Sequence, residues 1–213
     1  PWKDGEHYQM MAVMRQLDGS NFAADPRQLL ESVLQAYKTK GLTPVVAVEL
    51  EFYLLNLVSE QECRPIASTL LPKSSFNSPS PYAIGNLDRF SPILEDIRYT
   101  CCVQEVPADS IISEFGDGQF EVNLNHIDDA LLAADHAVLF KRIVRSVARN
   151  HDHLASFMAK PYGDKIGSGM HVHFSVLDQN GNNIFSNGTK TGSSSLLHAV
   201  GGLLQAMQGS MLI

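Results

Sequence analysis

Three short segments of this sequence alternate apolar and polar side chains with the period of a β-strand, and their polar positions carry glutamates or histidines. The segments are Val45–Leu55, Gln119–Asn125 and Met170–Leu177. Because side chains alternate across a strand, residues two apart share a face. Each segment therefore predicts a strand with one apolar face and one face of polar or ionisable groups.

The first two segments bring glutamates together. Glu49 and Glu51 fall on one face, about 7 Å apart along the strand, and carboxylates on a half-buried strand are costly unless a positive group lies beside them. Glu121 is on the polar face of the second segment. Glu114 precedes it across Gly116-Asp117-Gly118, a turn that can fold the chain back and bring Glu114 near Glu121. Taken alone, a solvent-facing strand or a surface hairpin explains either pattern equally well.

The third segment carries two histidines on its polar face. His171 and His173 follow Gly167-Ser168-Gly169, and glycines allow a backbone to approach a ligand closely. A single histidine on a strand is usually structural, whereas three strands with such faces indicate a shared polar pocket built on a sheet. Oxygen-rich ligation with one or two imidazoles suits Mg²⁺ or Mn²⁺ better than zinc.

The rest of the sequence predicts four helices and one long connection. Strands and helices interleave, so the class is α+β or α/β. Asn180-Gly181 predicts a hairpin turn after the third strand. The predicted elements are a helix over 26–40 capped by Asp25, a connection over 58–86, a helix over 87–102 capped by Asn86, a helix over 128–150 capped by Asp128 or Asp129, and a helix from about Ser194.

Composition excludes several classes of protein. The 213 residues suit one sizeable domain, and a net charge of −7 argues against nucleic acid as the main partner. No apolar run approaches the roughly 18 to 20 residues of a membrane span, and we expect no signal peptide. Three cysteines without a disulfide or zinc spacing favour the cytoplasm. The chain starts at Pro1 and stops at Ile213 within an apolar segment, so we interpret it as part of a longer protein.

Several motifs match a known family in order and spacing. They are Val48-Glu49-Leu50-Glu51-Phe52, Gly118-Gln119-Phe120-Glu121-Val122, and Lys160-Pro161 followed by Gly167-Ser168-Gly169-Met170-His171-Val172-His173-Phe174-Ser175. From about Gln16 to its end, the chain resembles the glutamine synthetase family. Pro44–Leu55 and Gly118–Glu121 are similar to the branch of γ-glutamylpolyamine ligases, which includes γ-glutamylputrescine synthetase.

The resemblance implies an α+β fold, with a partial antiparallel sheet or barrel flanked by helices. It implies that residues 1–213 form the N-terminal portion of the catalytic domain. A β-grasp domain would lie upstream, and the phosphate-binding arginines and last metal-ligating glutamate would lie downstream. Members of the family form ring-shaped homo-oligomers whose active sites lie between subunits. We therefore expect this piece alone to be inactive as an enzyme.

The resemblance also implies two metal positions. Glu51, Glu114 and Glu121 would bind the metal nearer the acid substrate. Glu49 and His171 would bind the metal that bridges the ATP phosphates. Mg²⁺ or Mn²⁺ would neutralise phosphate charge and align the transfer.

Further roles follow from the same resemblance. His173 and Ser175 would contact the nucleotide, and Gly167 would approach the acid substrate through its backbone. Glu114 would also lie near the amine and act as the catalytic residue. Tyr82 would line the amine site.

The implied reaction joins the γ-carboxylate of glutamate to an amine. The carboxylate attacks the γ-phosphate of ATP to give an acyl phosphate, and the amine then displaces phosphate. Ile166 stands where typical glutamine synthetases have an asparagine that helps to hold the glutamate, and an apolar side chain cannot make those hydrogen bonds. The leading hypothesis is thus a ligase for glutamate and an organic amine. Glutamine synthetase proper using ammonia, a non-catalytic relative and a metal-dependent hydrolase remain the alternatives.

Overall fold

The computed structural model of the chain describes residues 8–56, 67 and 84–210. Tyr82 and most of the predicted connection over 58–86 lie outside the described residues. Each helix among these residues is too short or too polar to span a bilayer. The elements in chain order are α1 (Pro26–Thr39), β1 (Thr43–Asn56), α2 (Ile84–Val103), β2 (Ala108–Ser113), β3 (Gln119–Leu124), α3 (Ala130–Asn150), β4 (His153–Ser156), β5 (Met170–Leu177) and α4 (Ser194–Ser210).

The start of α1 confirms a predicted helix cap. The Asp25 carboxylate accepts hydrogen bonds from the backbone N–H groups of Arg27 and Gln28 at 2.9 and 3.1 Å. These donors have no partner inside the helix, so the cap stabilises its first turn. Gly41 follows the helix with a φ of +66°, which favours glycine. The Asp129 carboxylate accepts in the same way from the backbone N–H of Leu131 at the start of α3.

The predicted cap of α2 is wrong. This helix begins at Ile84 and includes position 86, so Asn86 lies inside the helix rather than before it. The buried stripe of α2 sets its position, because tertiary packing of an apolar face contributes more to helix stability than one capping residue does. The buried positions of this stripe are Phe90, Ile93, Leu94, Ile97 and Cys101.

The five strands form one sheet in the order β2-β3-β1-β4, with β5 also pairing with β1. The pairs β1–β3, β1–β4 and β2–β3 are antiparallel. This arrangement confirms the predicted α+β class, and it places β1 in the interior of the sheet. The alternation of apolar and polar residues did not predict the short strands β2 and β4.

Aromatic packing holds β1 and β3 in register. The Phe52 ring lies 6.1 Å from that of Phe120, 6.3 Å from that of Phe140 and 5.3 Å from that of Phe157. A slip of one residue would move every side chain of a strand to the other face. Burial of Phe52 and Phe120 at 0% and 1% exposure therefore also fixes which side chains β1 and β3 present on their polar face.

The chain forms two compact units. Unit 1 comprises residues 1–12, 47–126 and 132–173, and unit 2 comprises residues 13–46, 127–131 and 174–213. Unit 1 includes β2, β3, β4, most of β1 and the first half of β5. Unit 2 includes α1, α4 and the second half of β5.

The apolar side of β5 differs from the prediction. Met170, Val172 and Phe174 are 57%, 56% and 42% exposed, and only Val176 is buried on that side. Alternation predicts that the two sides of a strand differ in polarity, but burial also needs a second layer of structure. The described part of the chain buries only Val176 on this side, while Phe174 packs against the rings of Tyr37 and Phe185 and stays partly exposed.

Candidate metal centre

The pairing of β1 with β3 sets the first two carboxylates side by side. Glu51 lies opposite Glu121 in the antiparallel register, and Glu49 lies opposite Asn123. Directly opposed residues project from the same face with Cβ atoms about 4.5 to 5.5 Å apart. Strand pairing therefore brings together glutamates that the sequence only assigned to similar faces.

The first half of β5 adds imidazoles to the same cluster. His171 Nδ1 lies 3.1 Å from Glu49 Oε2, and His173 Nε2 lies 2.7 Å from Glu49 Oε1. Glu49, Glu121 and His171 each offer one ligand atom, and these three atoms lie within 4.8 Å of one another. The three strands thus converge on one group of metal-ligating side chains, all of them in unit 1.

Both oxygens of the Glu51 carboxylate have close neighbours. Gln119 Nε2 donates to Oε2 at 3.0 Å. A Cβ atom added at Gly169 would lie 2.9 Å from Oε1. The Glu51 backbone N–H also donates to the Gly169 carbonyl at 3.1 Å. The carboxylate is therefore held between a buried amide and a position where only glycine fits without a shift.

A tight turn brings Glu114 close to the cluster, as the sequence predicts. The Gln119 N–H donates to the Gly116 carbonyl at 3.0 Å, and the Glu114 N–H donates to the Gln119 carbonyl at 2.9 Å. Burial raises the pKa of Glu114, and the negative charge of Glu51 raises it further. Glu114 and Glu51 therefore lie close enough to repel each other.

The pKa of Glu121 is also raised, and more of the neighbouring carboxylates contribute to the rise. Burial is the largest cause that raises its pKa, followed by the negative charges of Glu49, Glu114 and Glu51. A hydrogen bond from Asn123 Nδ2, at 3.4 Å, opposes this rise only weakly. Four carboxylates crowded together at the edge of the interior call for a compensating cation.

The donor set fits a hard divalent cation. Among the described residues, no lysine or arginine forms an ion pair with any of these four glutamates, and the ion-pair partners of Glu49 are the two histidines. Carboxylate oxygens with one or two imidazoles suit Mg²⁺ or Mn²⁺. Glu49, Glu51, Glu114, Glu121 and His171 are the residues that could hold such an ion.

The glycine-containing segment 166–169 is fastened beside the cluster. Tyr53 Oη donates to the Ile166 carbonyl at 2.9 Å, and Gln119 Nε2 donates to the Gly167 carbonyl at 3.0 Å. The Ser168 N–H donates to the Ala159 carbonyl at 2.8 Å. A Cβ atom at Gly167 would lie 2.6 Å from the same Ala159 oxygen, so this position requires glycine.

The side chain of Ile166 faces outward. It is 51% exposed. Together with the half-exposed Phe115 it lines a cavity of about 480 Å³ in unit 1. The charged side chains of this lining are Asp117, Lys160, Asp164 and Lys165.

Of the three remaining predicted site residues, His173 contacts the cluster of glutamates. The His173 ring lies 5.9 Å from that of His126 in an edge-on arrangement, besides its contact with Glu49. Ser175 is half-buried and belongs to unit 2. Tyr82 lies outside the described residues.

Sequence reasoning missed the residues that hold the cluster in place. Gln119 and Tyr53 are both 0% exposed, and each bonds to the segment 166–169. The alternation did place Gln119 on the polar face of β3 and Tyr53 on the polar face of β1. Both residues carry a polar group on the same face as the proposed metal ligands. This position alone could have identified them as hydrogen-bond partners of the site.

The chain is similar to known proteins over most of its length. The family model described as glutamine synthetase, catalytic domain, matches residues 23–213. The γ-glutamylputrescine synthetase PuuA of Escherichia coli (strain K12) is 38% identical over 211 residues, which are 96% of this chain and 44% of the relative. The glutamate–isopropylamine ligase of a Pseudomonas species is 31% identical over 199 residues, which are 92% of this chain and 42% of the relative.

Solved structures show the same fold. A structure described as a GmaS/ADP complex matches 90% of this chain and 43% of its own, with a TM-score of 0.75 and 30% sequence identity. The chain spans less than half the length of these relatives.

Proposed function

This chain belongs to the glutamine synthetase family, and from that premise we propose that it is part of an ATP-dependent and divalent-metal-dependent ligase. The proposed reaction forms an amide between the γ-carboxylate of glutamate and an organic amine. The observation that carries the proposal is the convergence of Glu49, Glu121 and His171, whose ligand atoms lie within 4.8 Å of one another. The family membership and this cluster support a carbon–nitrogen ligase together.

The metal roles proposed for the cluster are those that the family resemblance implies. Glu51, Glu114 and Glu121 would hold one Mg²⁺ or Mn²⁺ ion, since mutual repulsion and burial raise the pKa of both Glu114 and Glu121. Glu49 and His171 would hold a second ion, since their side chains already touch at 3.1 Å. When bound, such ions neutralise phosphate charge and orient the transferred group.

Other residues are proposed to bind the substrates. His173 contacts Glu49, a proposed ligand of the second ion, and this contact supports a role for His173 in nucleotide binding. Ser175 remains a proposed contact of the nucleotide. Gly167 would approach the acid substrate through its backbone, whose carbonyl accepts a hydrogen bond from Gln119 Nε2. Tyr82 remains a proposed part of the amine site.

The proposed chemistry has two steps. The γ-carboxylate oxygen attacks the γ-phosphorus of ATP, the bond to the bridging oxygen breaks, and ADP leaves with its electron pair. The amine nitrogen then attacks the carbonyl carbon of the acyl phosphate, phosphate leaves, and the amine loses a proton. Glu114 would hold the amine and accept this proton.

An organic amine is favoured over ammonia for two reasons. The names of both relatives above pair a glutamate or glutamyl group with an organic amine. In addition, Ile166 stands where typical glutamine synthetases have an asparagine that helps to hold the glutamate, and its apolar side chain cannot make those hydrogen bonds. This departure counts against glutamine synthetase proper.

The test is ADP release by the native protein with glutamate, Mg²⁺ and each of ammonia, putrescine and isopropylamine. We expect an organic amine to support turnover at lower concentration than ammonia does. Glu121→Gln should abolish turnover, whereas Glu31→Gln, on the exposed side of α1, should not. Ile166→Asn should lower the KM for glutamate, because its amide can offer the hydrogen bonds that the asparagine of typical glutamine synthetases makes.

Two outcomes would contradict parts of the proposal. A preference for ammonia in the wild-type protein would indicate glutamine synthetase proper. Metal-dependent hydrolysis that needs no ATP would exclude a ligase and favour a hydrolase. A native protein that binds no metal would favour a non-catalytic relative.

We propose that residues 1–213 are the first portion of the catalytic domain and act only together with the rest of it. The relatives are more than twice as long as the segment matched here. The proposed partners are small molecules and further copies of the same protein in a homo-oligomer. Mass measurement of the native protein by light scattering after size exclusion tests the assembly, and a monomeric active enzyme would refute it.

A further inference from the structure

The side chain of Gln119 is a buried amide whose donors and acceptor all have partners. It is 0% exposed. Its Nε2 group donates to Glu51 Oε2 at 3.0 Å and to the Gly167 carbonyl at 3.0 Å, and its Oε1 atom accepts from the Gly116 N–H at 2.9 Å. Two acceptors on one side and one donor on the other leave a single orientation of the amide that satisfies all three bonds.

These bonds join three segments that are far apart in sequence. Glu51 is on β1, Gly116 is in the turn that carries Glu114, and Gly167 is in the segment 166–169. Sequence separations of 68 and 48 residues divide Gln119 from Glu51 and from Gly167. A buried group that satisfies three distant partners at once holds them in a fixed mutual geometry, because each partner would otherwise be left without a hydrogen bond.

The Glu51 carboxylate and the segment 166–169 are also linked directly. The Glu51 N–H donates to the Gly169 carbonyl, and Glu51 Oε1 lies against Gly169. A shift of this carboxylate therefore disturbs the segment both through the Gln119 amide and through contact with Gly169. Conversely, an ion that holds the carboxylate in place keeps Nε2 between its two acceptors.

We propose that Gln119 is a positioning residue that couples metal binding at Glu51 to the conformation of the segment 166–169. The coupling deepens the proposed function and rests on it, since Glu51 is a proposed metal ligand and Gly167 a proposed contact of the acid substrate. Because coupling between two binding sites is reciprocal, the metal and the acid substrate raise each other's affinity by the same factor. Partners of metal ligands commonly change metal affinity about 10- to 100-fold when they are removed.

The test compares the native wild-type protein with Gln119→Met and Gln28→Met. Gln28 is a matched control because it is also a buried glutamine, 5% exposed, whose Nε2 donates to the Met14 carbonyl in unit 2. Mn²⁺ affinity is measured by calorimetry, and amide hydrogen exchange of residues 160–169 is measured with and without Mn²⁺.

In the wild type and in Gln28→Met, Mn²⁺ should slow exchange in this segment. In Gln119→Met, the slowing should disappear and the Kd for Mn²⁺ should rise about 10- to 100-fold. Gln119→Glu is a second variant, in case the methionine variant does not fold. It keeps an acceptor for the Gly116 N–H but cannot donate to both Glu51 and Gly167, so it should also weaken the coupling.

Two results would overturn the coupling. One is a folded Gln119 variant with wild-type Mn²⁺ affinity and wild-type slowing of exchange. The other is a wild-type protein that binds Mn²⁺ without any change in the segment, which would leave the proposed ligase function intact. A wild-type protein that binds no Mn²⁺ would instead remove the proposed function together with the coupling.

Discussion

Replacing Gly169 with alanine should weaken metal binding without destabilising the protein. The added Cβ would lie 2.9 Å from Glu51 Oε1 and 3.5 Å from His171 Nε2. The first distance is about half an ångström shorter than ordinary van der Waals contact, so the Glu51 carboxylate must move. Metal sites tolerate deviations of only about 0.2 Å in ligand distance.

The carboxylate cannot move away freely, because Gln119 Nε2 holds its other oxygen. We therefore expect Gly169→Ala to raise the Kd for Mn²⁺ about tenfold, equivalent to about 1.4 kcal/mol. The free energy of unfolding of the metal-free protein should change little, since the side chain of Glu51 absorbs the contact rather than the backbone.

Gly163→Ala is the matched control. It lies in the same unit, and a Cβ there would have no neighbour within 4 Å. Both substitutions lower the conformational entropy of the unfolded chain equally, which stabilises the folded protein by about 0.4 to 1 kcal/mol. The difference in Mn²⁺ affinity between the two variants therefore reports the contact with Glu51. Calorimetric titration with Mn²⁺ and urea unfolding in EDTA provide the two measurements. Equal Mn²⁺ affinity in Gly169→Ala and Gly163→Ala would refute the reasoning.

Two further substitutions test the electrostatics and the packing around the cluster. The pKa of Glu121 is raised above its ordinary value of 4.5. The folded protein therefore binds this proton more tightly than the unfolded chain does, so ionisation of Glu121 opposes folding as pH rises from about 4.5. In the metal-free protein, Glu121→Gln should raise the Tm at pH 7, and this increase should vanish at pH 4. The same variant should no longer bind Mn²⁺. Gly116→Ala puts a Cβ 2.2 Å from Tyr53 Oη and should cost about 1 to 3 kcal/mol in urea unfolding.

Each of these has a contradicting result. A Glu121→Gln protein with a lower Tm than the wild type in EDTA at pH 7 would show that repulsion among the glutamates is not the dominant effect. For Gly116→Ala the control is Gly85→Ala, where a Cβ meets no atom within 4 Å. Equal stability of the two alanine variants would show that the Tyr53 side chain moves aside at no cost.

Local patterns in the sequence determined which side chains share a face and where several elements begin. The alternation in β1 places Glu49 and Glu51 together because backbone geometry alone gives a strand its period of two. Asp25 caps α1 and the Gly116–Gly118 turn reverses the chain for similarly local reasons. These features depend on dihedral preferences and hydrogen bonds among neighbours.

Only the tertiary structure decided which strands meet and in what register. His171 reaches Glu49 across 122 residues of sequence, and Gln119 reaches Glu51 across 68. No local preference encodes such contacts, since they depend on how Phe52 and Phe120 pack when the sheet forms. The same dependence explains the exposed Met170 and Val172, because alternation sets the polarity of a face, whereas burial depends on what covers it.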